Sequence, residues 1–134
     1  FGIICARDHP LAQMTGPVAW SILRGETFIM NPLAATLTDP VFLALTRQAR
    51  LTAHNTLSLL SLVQAGAGVT VLPELVTHMA WQPVHFLPVQ DRSAQRKIDI
   101  LHAPAAQMTP LIDDLCADIQ AAAGAQQKSL PSHF

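Results

Sequence analysis

Short apolar runs recur along this chain, and turn-forming residues bound each of them. Most runs are rich in β-branched or large aliphatic residues, a composition typical of buried strands. The last run alternates apolar and polar residues, which is typical of a strand with one buried face. The predicted strands are centred on Ile3, Ile29, Thr52, Val71, Phe86 and Ile100.

Segments with helical spacing separate these strands, and capping residues mark their ends. Thr38-Asp39-Pro40 places a proline after an oxygen-bearing cap, which predicts a helix start. Asn55 or Thr56 can cap a second helix, which Gly66-Ala67-Gly68 would end. The predicted core positions of this second helix are Leu59, Leu60, Leu62 and Val63.

A third helix is predicted to begin at Thr109-Pro110 and to end at Gly124. Beyond it we expect a flexible polar tail over residues 125–134. Strands and helices alternate along the chain, which predicts an α/β fold built from βαβ units with a mostly parallel sheet. The apolar stripe of the third helix comprises Leu111, Ile112, Leu115, Cys116 and Ile119.

The composition suits one compact domain and argues against a nucleic-acid surface. The chain has 134 residues, of which 50% are apolar and 13% are charged, as in globular proteins with a core. Its net charge is −1 and no block of lysine or arginine stands out, so the electrostatic footprint of DNA binding is missing. Tyrosine is absent, which also disfavours base stacking.

The cysteines and the apolar segments indicate the cellular setting. Cys5 and Cys116 show no disulfide pattern, so both are expected to be reduced core residues. No apolar stretch approaches the roughly 20 residues that span a bilayer, and no signal peptide opens the chain. We therefore expect a cytoplasmic protein without membrane contacts. The start at Phe1, inside an apolar run, indicates a fragment of a longer protein.

Motifs for catalysis, metals or cofactors are scarce. The six histidines lack the spacing of metal ligands, and no Gly-x-Ser-x-Gly elbow occurs. Gly66-Ala67-Gly68 lies between a helix and a strand, whereas a dinucleotide loop follows a strand and opens a helix. We therefore expect no enzymatic activity, no metal and no cofactor.

His54-Asn55-Thr56 has the most promising chemistry, because it joins a predicted strand to a helix N-terminus. Helix N-termini present free N–H groups and partial positive charge, so they attract small anions. Open α/β sheets bind ligands at the carboxyl ends of their strands. The segment predicts an anion site, with the alternative that Asn55 or Thr56 is only a cap and His54 only a turn residue.

Three segments together resemble one protein family. Asp8-His9-Pro10-Leu11-Ala12, after an apolar strand, resembles the segment between the two regulatory subdomains of LysR-type transcriptional regulators. Trp20, Leu23 and Gly25-Glu26-Thr27-Phe28-Ile29 are similar to the helix and strand that open the second subdomain. The run SLLSLVQAGAGVTVLPE at 58–74 is similar to the family's helix, glycine turn and buried strand. The resemblance covers nearly the whole chain in the correct order.

The resemblance implies a periplasmic-binding-protein-like (type 2) α/β fold, with an effector cleft between two lobes. Residues 13–90 would form the complete second lobe. Residues 1–12 would be a crossing strand of the first lobe, and residues 91–124 its return strand and C-terminal helix, so that the first lobe would be only partial. Most of that lobe and a winged helix-turn-helix would precede Phe1.

The resemblance also implies the effector-sensing and oligomerisation part of a bacterial regulator. Its effector would be a small, anionic metabolite, and DNA would be bound only through the winged helix-turn-helix. A solute-binding protein of a transport system has the same fold and stays the alternative, although the segment 8–12 favours the regulator. The family's effector contacts correspond here to Arg7 at the hinge, Met30 and Asn31 on one loop, and His54, Asn55 and Thr56 on another.

A partial first lobe would leave apolar side chains uncovered. Large exposed apolar patches recruit partners, so we expect self-association or an additional polypeptide over this face. The predicted members of the patch are Ile3, Ile4, Ile98, Ile100, Leu111, Leu115 and Ile119.

Overall fold

The computed structural model describes residues 1–80, 83–102, 104 and 109–129, with side chains except at 79 and 126–129. The chain divides into two compact units, Phe1–Arg96 and Lys97–Phe134. The strands lie in the first unit, and the longest helix lies in the second.

The first unit is built on a mixed β-sheet. β1 pairs antiparallel with both β4 and β5, and β2 pairs in parallel with β3. A parallel bridge between Phe28 and Val69 joins β2 to β4, with the Ile29 N–H donating to the Val69 carbonyl at 2.8 Å. The spatial order is therefore β3-β2-β4-β1-β5. The strands are β1 (Gly2–Ala6), β2 (Ile29–Met30), β3 (Leu51–Thr52), β4 (Thr70–Leu72) and β5 (Val84–Pro88).

The strands form at the predicted positions, around Ile3, Ile29, Thr52, Val71 and Phe86. The prediction of a mostly parallel sheet needs a correction, because both pairings of the inner strand β1 are antiparallel. Because β4 and β5 both oppose β1, while β2 and β3 run with β4, four of the five described strands share one direction. β1 runs against them from inside the sheet, so both of its pairings are antiparallel. Alternation of strands and helices along the sequence does not determine which strands become neighbours.

Both helices of the first unit begin where their capping residues predict. α1 (Pro40–Thr46) follows Asp39, whose carboxylate accepts hydrogen bonds from two N–H groups of the first turn at 2.8 and 2.9 Å. α2 (Thr56–Gln64) follows Asn55, whose side-chain oxygen accepts from the Ser58 N–H at 3.1 Å. Short 3₁₀ turns occur at Pro10–Gln13, Trp20–Leu23, Ala34–Thr36 and Glu74–Met79.

The sheet is packed on both faces. On one face, Ile3 and Cys5 belong to a cluster with Trp20, Phe28 and Phe42, in which the Trp20 and Phe28 rings lie 4.7 and 5.7 Å from the Phe42 ring. The other face packs against α2. Its cluster includes Ile4, Leu59, Leu60 and Val63, whereas Leu62, which the sequence places in the core, is 38% exposed on the outer side of α2.

The predicted exposure of Ile3 and Ile4 is wrong. Both side chains are fully buried, because β1 is an inner strand with packed layers on both faces. Residues 1–12 thus pack within the first unit, and their additional role in a first lobe stays a prediction.

α3 (Pro110–Ser129) is the main element of the second unit and begins at the predicted proline. It continues past Gly124, where the sequence predicts its end. A glycine costs a helix interior only about 1 kcal/mol relative to alanine, and the neighbouring alanines and glutamines favour helix. Residues 125–129 are therefore helical rather than a polar tail, and residues 130–134 lie outside the described residues.

The strand predicted around Ile100 does not form, since residues 96–102 have no strand structure. A strand needs a neighbour to satisfy its backbone hydrogen bonds, and none of the described strands pairs with this segment. Cys116 is only half-buried, contrary to its predicted core position, while Cys5 is buried. The side chains that are exposed as predicted are Ile98, Ile100, Leu111, Leu115 and Ile119.

Candidate functional site

The loops that follow β2 and β3 meet at one edge of the sheet. Because the two strands are parallel, Asn31 and His54 emerge from their carboxyl ends on the same side. The Ala53 N–H donates to the Met30 carbonyl at 2.9 Å, which extends the pairing toward the loops. The backbone thus brings together two segments that lie over twenty residues apart in the sequence.

A cavity of about 200 Å³ lies at this edge. Its polar lining residues are Asn31, His54 and Thr56, so three of the six predicted site residues share it. The sequence analysis did not predict its apolar lining. Leu59 could have been included, because it lies one helical turn after Thr56 and so on the same face of the helix. The apolar lining residues are Pro32, Leu33, Ala53, Leu59 and Leu72.

Asn31 holds the first loop of this cavity in place. Its side chain is buried, and its Nδ2 donates to Thr70 Oγ1 and to the Val71 carbonyl, both at 3.0 Å. Its Oδ1 accepts from the Ala34 N–H at 3.0 Å. Both amide hydrogens therefore bind protein atoms, and Asn31 fixes the loop against β4.

The N-terminus of α2 lies at the cavity, which Thr56 lines. Asn55 caps the Ser58 N–H, while the N–H groups of Thr56 and Leu57 have no acceptor within the helix, as in the first turn of any α-helix. Thr56 is half-buried, and His54 is exposed beside it. The cavity thus lies beside a helix N-terminus, where the backbone carries partial positive charge, and beside the imidazole of His54.

Met30 and Arg7 are not among the described residues that line this cavity. Met30 contributes its carbonyl to the pairing of β2 with the chain after β3. Arg7 follows β1 and lines another cavity, of about 280 Å³, with Ala6, Asp8, Gln64 and Pro83.

The segment 8–12 has a structural explanation in this fold. His9 Nδ1 accepts a hydrogen bond from the Leu11 N–H at 3.2 Å, and His9 Nε2 lies 3.4 Å from Glu26 Oε2. The imidazole thereby ties the turn after β1 to the chain that leads into β2.

The described part of the chain offers no metal-binding cluster. It holds no set of three or more His, Cys, Asp or Glu side chains arranged around a metal position. Burial and, to a smaller extent, the charge of Glu26 raise the pKa of the Cys5 thiol to about 11, so it is a poor nucleophile. Over the same residues, no helix combines the length and apolar character needed to cross a membrane.

Comparison with solved structures relates this fold to effector-binding domains. The structure titled "BenM effector binding domain with its effector benzoate" has a TM-score of 0.61 and 17% identity, and the match covers 99% of this chain and 63% of that one. The "Effector binding domain of QuiR in complex with shikimate" has a TM-score of 0.50 and 18% identity, with 67% and 44% of the two chains covered. At these identities the likeness concerns the fold.

The matching structures are longer than this chain, which spans 63% of the BenM domain. Among curated proteins, none is similar enough in sequence to count as a match. The profile of the family described as "LysR substrate binding domain" matches residues 1–124. The fold is the periplasmic-binding-protein-like (type 2) α/β fold, present here in part. The chain belongs to the LysR substrate binding domain family.

Proposed function

We propose that this chain is the effector-sensing part of a LysR-type transcriptional regulator and that a small anionic metabolite binds in the cavity at the carboxyl edge of β2 and β3. The observation that carries this proposal is the cavity itself, where the N-terminus of α2 and half-buried Thr56 meet the loop held by Asn31.

The chemistry of the cavity favours an anion. Hydrogen bonds from N–H groups to an anion are charge-assisted and contribute about 1.5–3 kcal/mol each. The first-turn N–H groups at Thr56 and Leu57 are available for such bonds, and His54 can add an N–H donor or a positive charge. Benzoate and shikimate, which the BenM and QuiR structures contain, are both carboxylates.

The remaining predicted residues take positioning roles in this proposal. Asn31 and Met30 hold the first loop through their hydrogen bonds, and Asn55 holds the start of α2. Arg7 lines the separate cavity after β1. We propose that it lies at the hinge between the two lobes and contacts the effector from there. A ligand that touches both lobes favours the closed state over the open one.

The activity of the whole protein belongs to the same proposal. We infer that it is a cytoplasmic, self-associating regulator that binds DNA through a winged helix-turn-helix and carries out no catalysis. A solute-binding protein of a transport system shares the fold, but the family match to residues 1–124 favours the regulator.

Thermal unfolding in the presence of small acids tests the binding site. A ligand that binds only the folded state raises its stability by mass action. We expect benzoate, shikimate or another small carboxylate to raise the melting temperature of the wild-type chain. His54→Ala and Thr56→Ala should reduce the increase.

Ser61→Ala is the matched control, because Ser61 is exposed on the same helix and its hydroxyl donates to the Leu57 carbonyl at 3.0 Å, away from the cavity. This variant should respond to the acid as the wild type does. If no small carboxylate stabilises the chain, or if His54→Ala and Thr56→Ala respond like the wild type, the site is misassigned.

A further inference from the structure

The cavity at the carboxyl edge of β2 and β3 has a rim and a floor that differ in chemistry. The side chains of the rim are exposed or half-buried, and those of the floor are buried. A molecule that enters the cavity therefore meets polar groups first and hydrocarbon below them. The rim comprises Pro32, Leu33, His54 and Thr56, and the floor comprises Asn31, Ala53, Leu59 and Leu72.

Asn31 is the polar side chain of the floor, and its amide hydrogens already bind protein atoms. They are donated to Thr70 Oγ1 and to the Val71 carbonyl, both at 3.0 Å. Thr70 is fully buried, and its hydroxyl donates onward to the Ile29 carbonyl at 2.8 Å. The described side chains of the floor therefore have no N–H or O–H left to donate. A polar group of a ligand that is buried against them would lose water without gaining a side-chain donor, which weakens binding.

The size of the cavity limits the apolar part of a ligand to one small group. The cavity measures about 200 Å³, and a cavity of about 150 Å³ with an aliphatic lining holds one benzene molecule. Ala53 contributes only a methyl group to the floor, so a larger side chain at this position would occupy space that the ligand needs. The cavity thus has room for a single hydrocarbon ring or a branched chain of that size.

We infer that the effector is a monocarboxylate with one small apolar body, and that Ala53 determines the size of this body. The inference rests on the proposed function. The carboxylate lies at the rim, where it accepts from N–H groups of the first turn of α2, and the body lies against Leu59 and Leu72. Inorganic phosphate has no apolar part and a polyhydroxylated acid has a polar body, so both bind more weakly.

A matched pair of acids tests this inference in the wild-type chain. Cyclohexenecarboxylate has the carbon skeleton of shikimate without its hydroxyl groups, so the two acids differ in the polarity of the body. NMR titrations should give cyclohexenecarboxylate a Kd at least about tenfold lower than those of shikimate and phosphate. Its ring protons should show NOEs to the methyl groups of Leu59 and Leu72, which places the body on the floor.

Ala53→Val tests the limit on size. The added methyl groups narrow the floor, so the Kd of cyclohexenecarboxylate should rise about tenfold, whereas that of propionate, whose body is smaller, should rise much less. Ala35→Val is the matched control, because Ala35 is exposed and is not among the residues that line the cavity. It should bind both acids as the wild type does.

The outcomes separate this inference from the proposed function. If shikimate or phosphate binds as tightly as cyclohexenecarboxylate, or if the ring shows no NOE to the floor, the inference is overturned and the anion site stands. Equal effects of Ala53→Val on the two acids would overturn the role of Ala53. If none of these anions shifts the resonances of residues 54–57, the proposed function fails, and the inference fails with it.

Discussion

Asn31 shows, at the scale of single residues, why candidate site residues could be proposed from the sequence although their hydrogen bonds could not. Its hydrogen-bond partners Thr70 and Val71 lie 39 and 40 residues away, so no local pattern signals that its amide is already bound. Asn55 caps an N–H only three residues further on, and this short range is why its role was predictable.

Asp91 provides a residue-scale prediction about pH. Burial alone would raise the pKa of its carboxyl group, but hydrogen bonds from Ser93 and from Trp20 Nε1 outweigh that effect, and the pKa lies below its ordinary value of 3.8. The ionised form thus stabilises the fold above pH 3.8, and this contribution is lost as the pH falls through the lowered pKa.

Asp91→Asn should lower the free energy of unfolding by about 1 kcal/mol at neutral pH, since the side chain is only partly buried. The difference from the wild type should shrink in urea titrations carried out below pH 3.8. Asp8→Asn, at an exposed turn, serves as the control with little effect. If Asp91→Asn lowered the free energy of unfolding equally at neutral and acidic pH, the ionised carboxylate would not be the form that stabilises the fold by accepting from Trp20 Nε1, and this account would be contradicted.

At the scale of elements, local signals were sufficient for helix starts and insufficient for strand neighbours. Asp39-Pro40 and Asn55 set the starts of α1 and α2 through bonds within one turn. The direction of β1 against its neighbours depends on pairings across about seventy residues, which strand composition does not encode. The segment around Ile100 has the alternation of a strand but lacks a pairing partner among the described residues.

The junction of β2 with β4 yields an element-scale prediction. A Cβ at Gly68 would overlap the carbonyl of Thr27, and this carbonyl accepts the Val69 N–H at 2.9 Å. Gly68→Ala should therefore push the two strands apart and cost more than about 3 kcal/mol in the free energy of unfolding.

Gly66→Ala is the matched control for this substitution. Gly66 has a φ of +73° but open space around it. Alanine there should lower the free energy of unfolding only through the strain of the left-handed backbone conformation, by about 1–2 kcal/mol. Urea unfolding of both variants measures the difference. Equal costs at the two positions would mean that the close approach to Thr27 does not hold β2 and β4 together.

At the scale of the whole molecule, the sequence motifs predicted the family and the fold, because they extend over residues that form the sheet and its connections. The apolar lining of the cavity at Leu59 and Leu72 was not predicted, since a sequence does not distinguish leucines of the core from leucines that line a cavity. The burial of Ile3 and Ile4 was missed for a related reason: it depends on layers that pack against β1 from distant parts of the chain.

An amide NMR titration of the chain with benzoate, shikimate and inorganic phosphate tests the central claim most directly, since it locates weak binding residue by residue. The account predicts saturable shifts at 54–57 and at Asn31 and Leu33, with weak affinity because the chain spans only 63% of the BenM domain. Shifts centred instead on the cavity lined by Trp20, Asp39 and Asp91, or no shifts with any of the three anions, would contradict it.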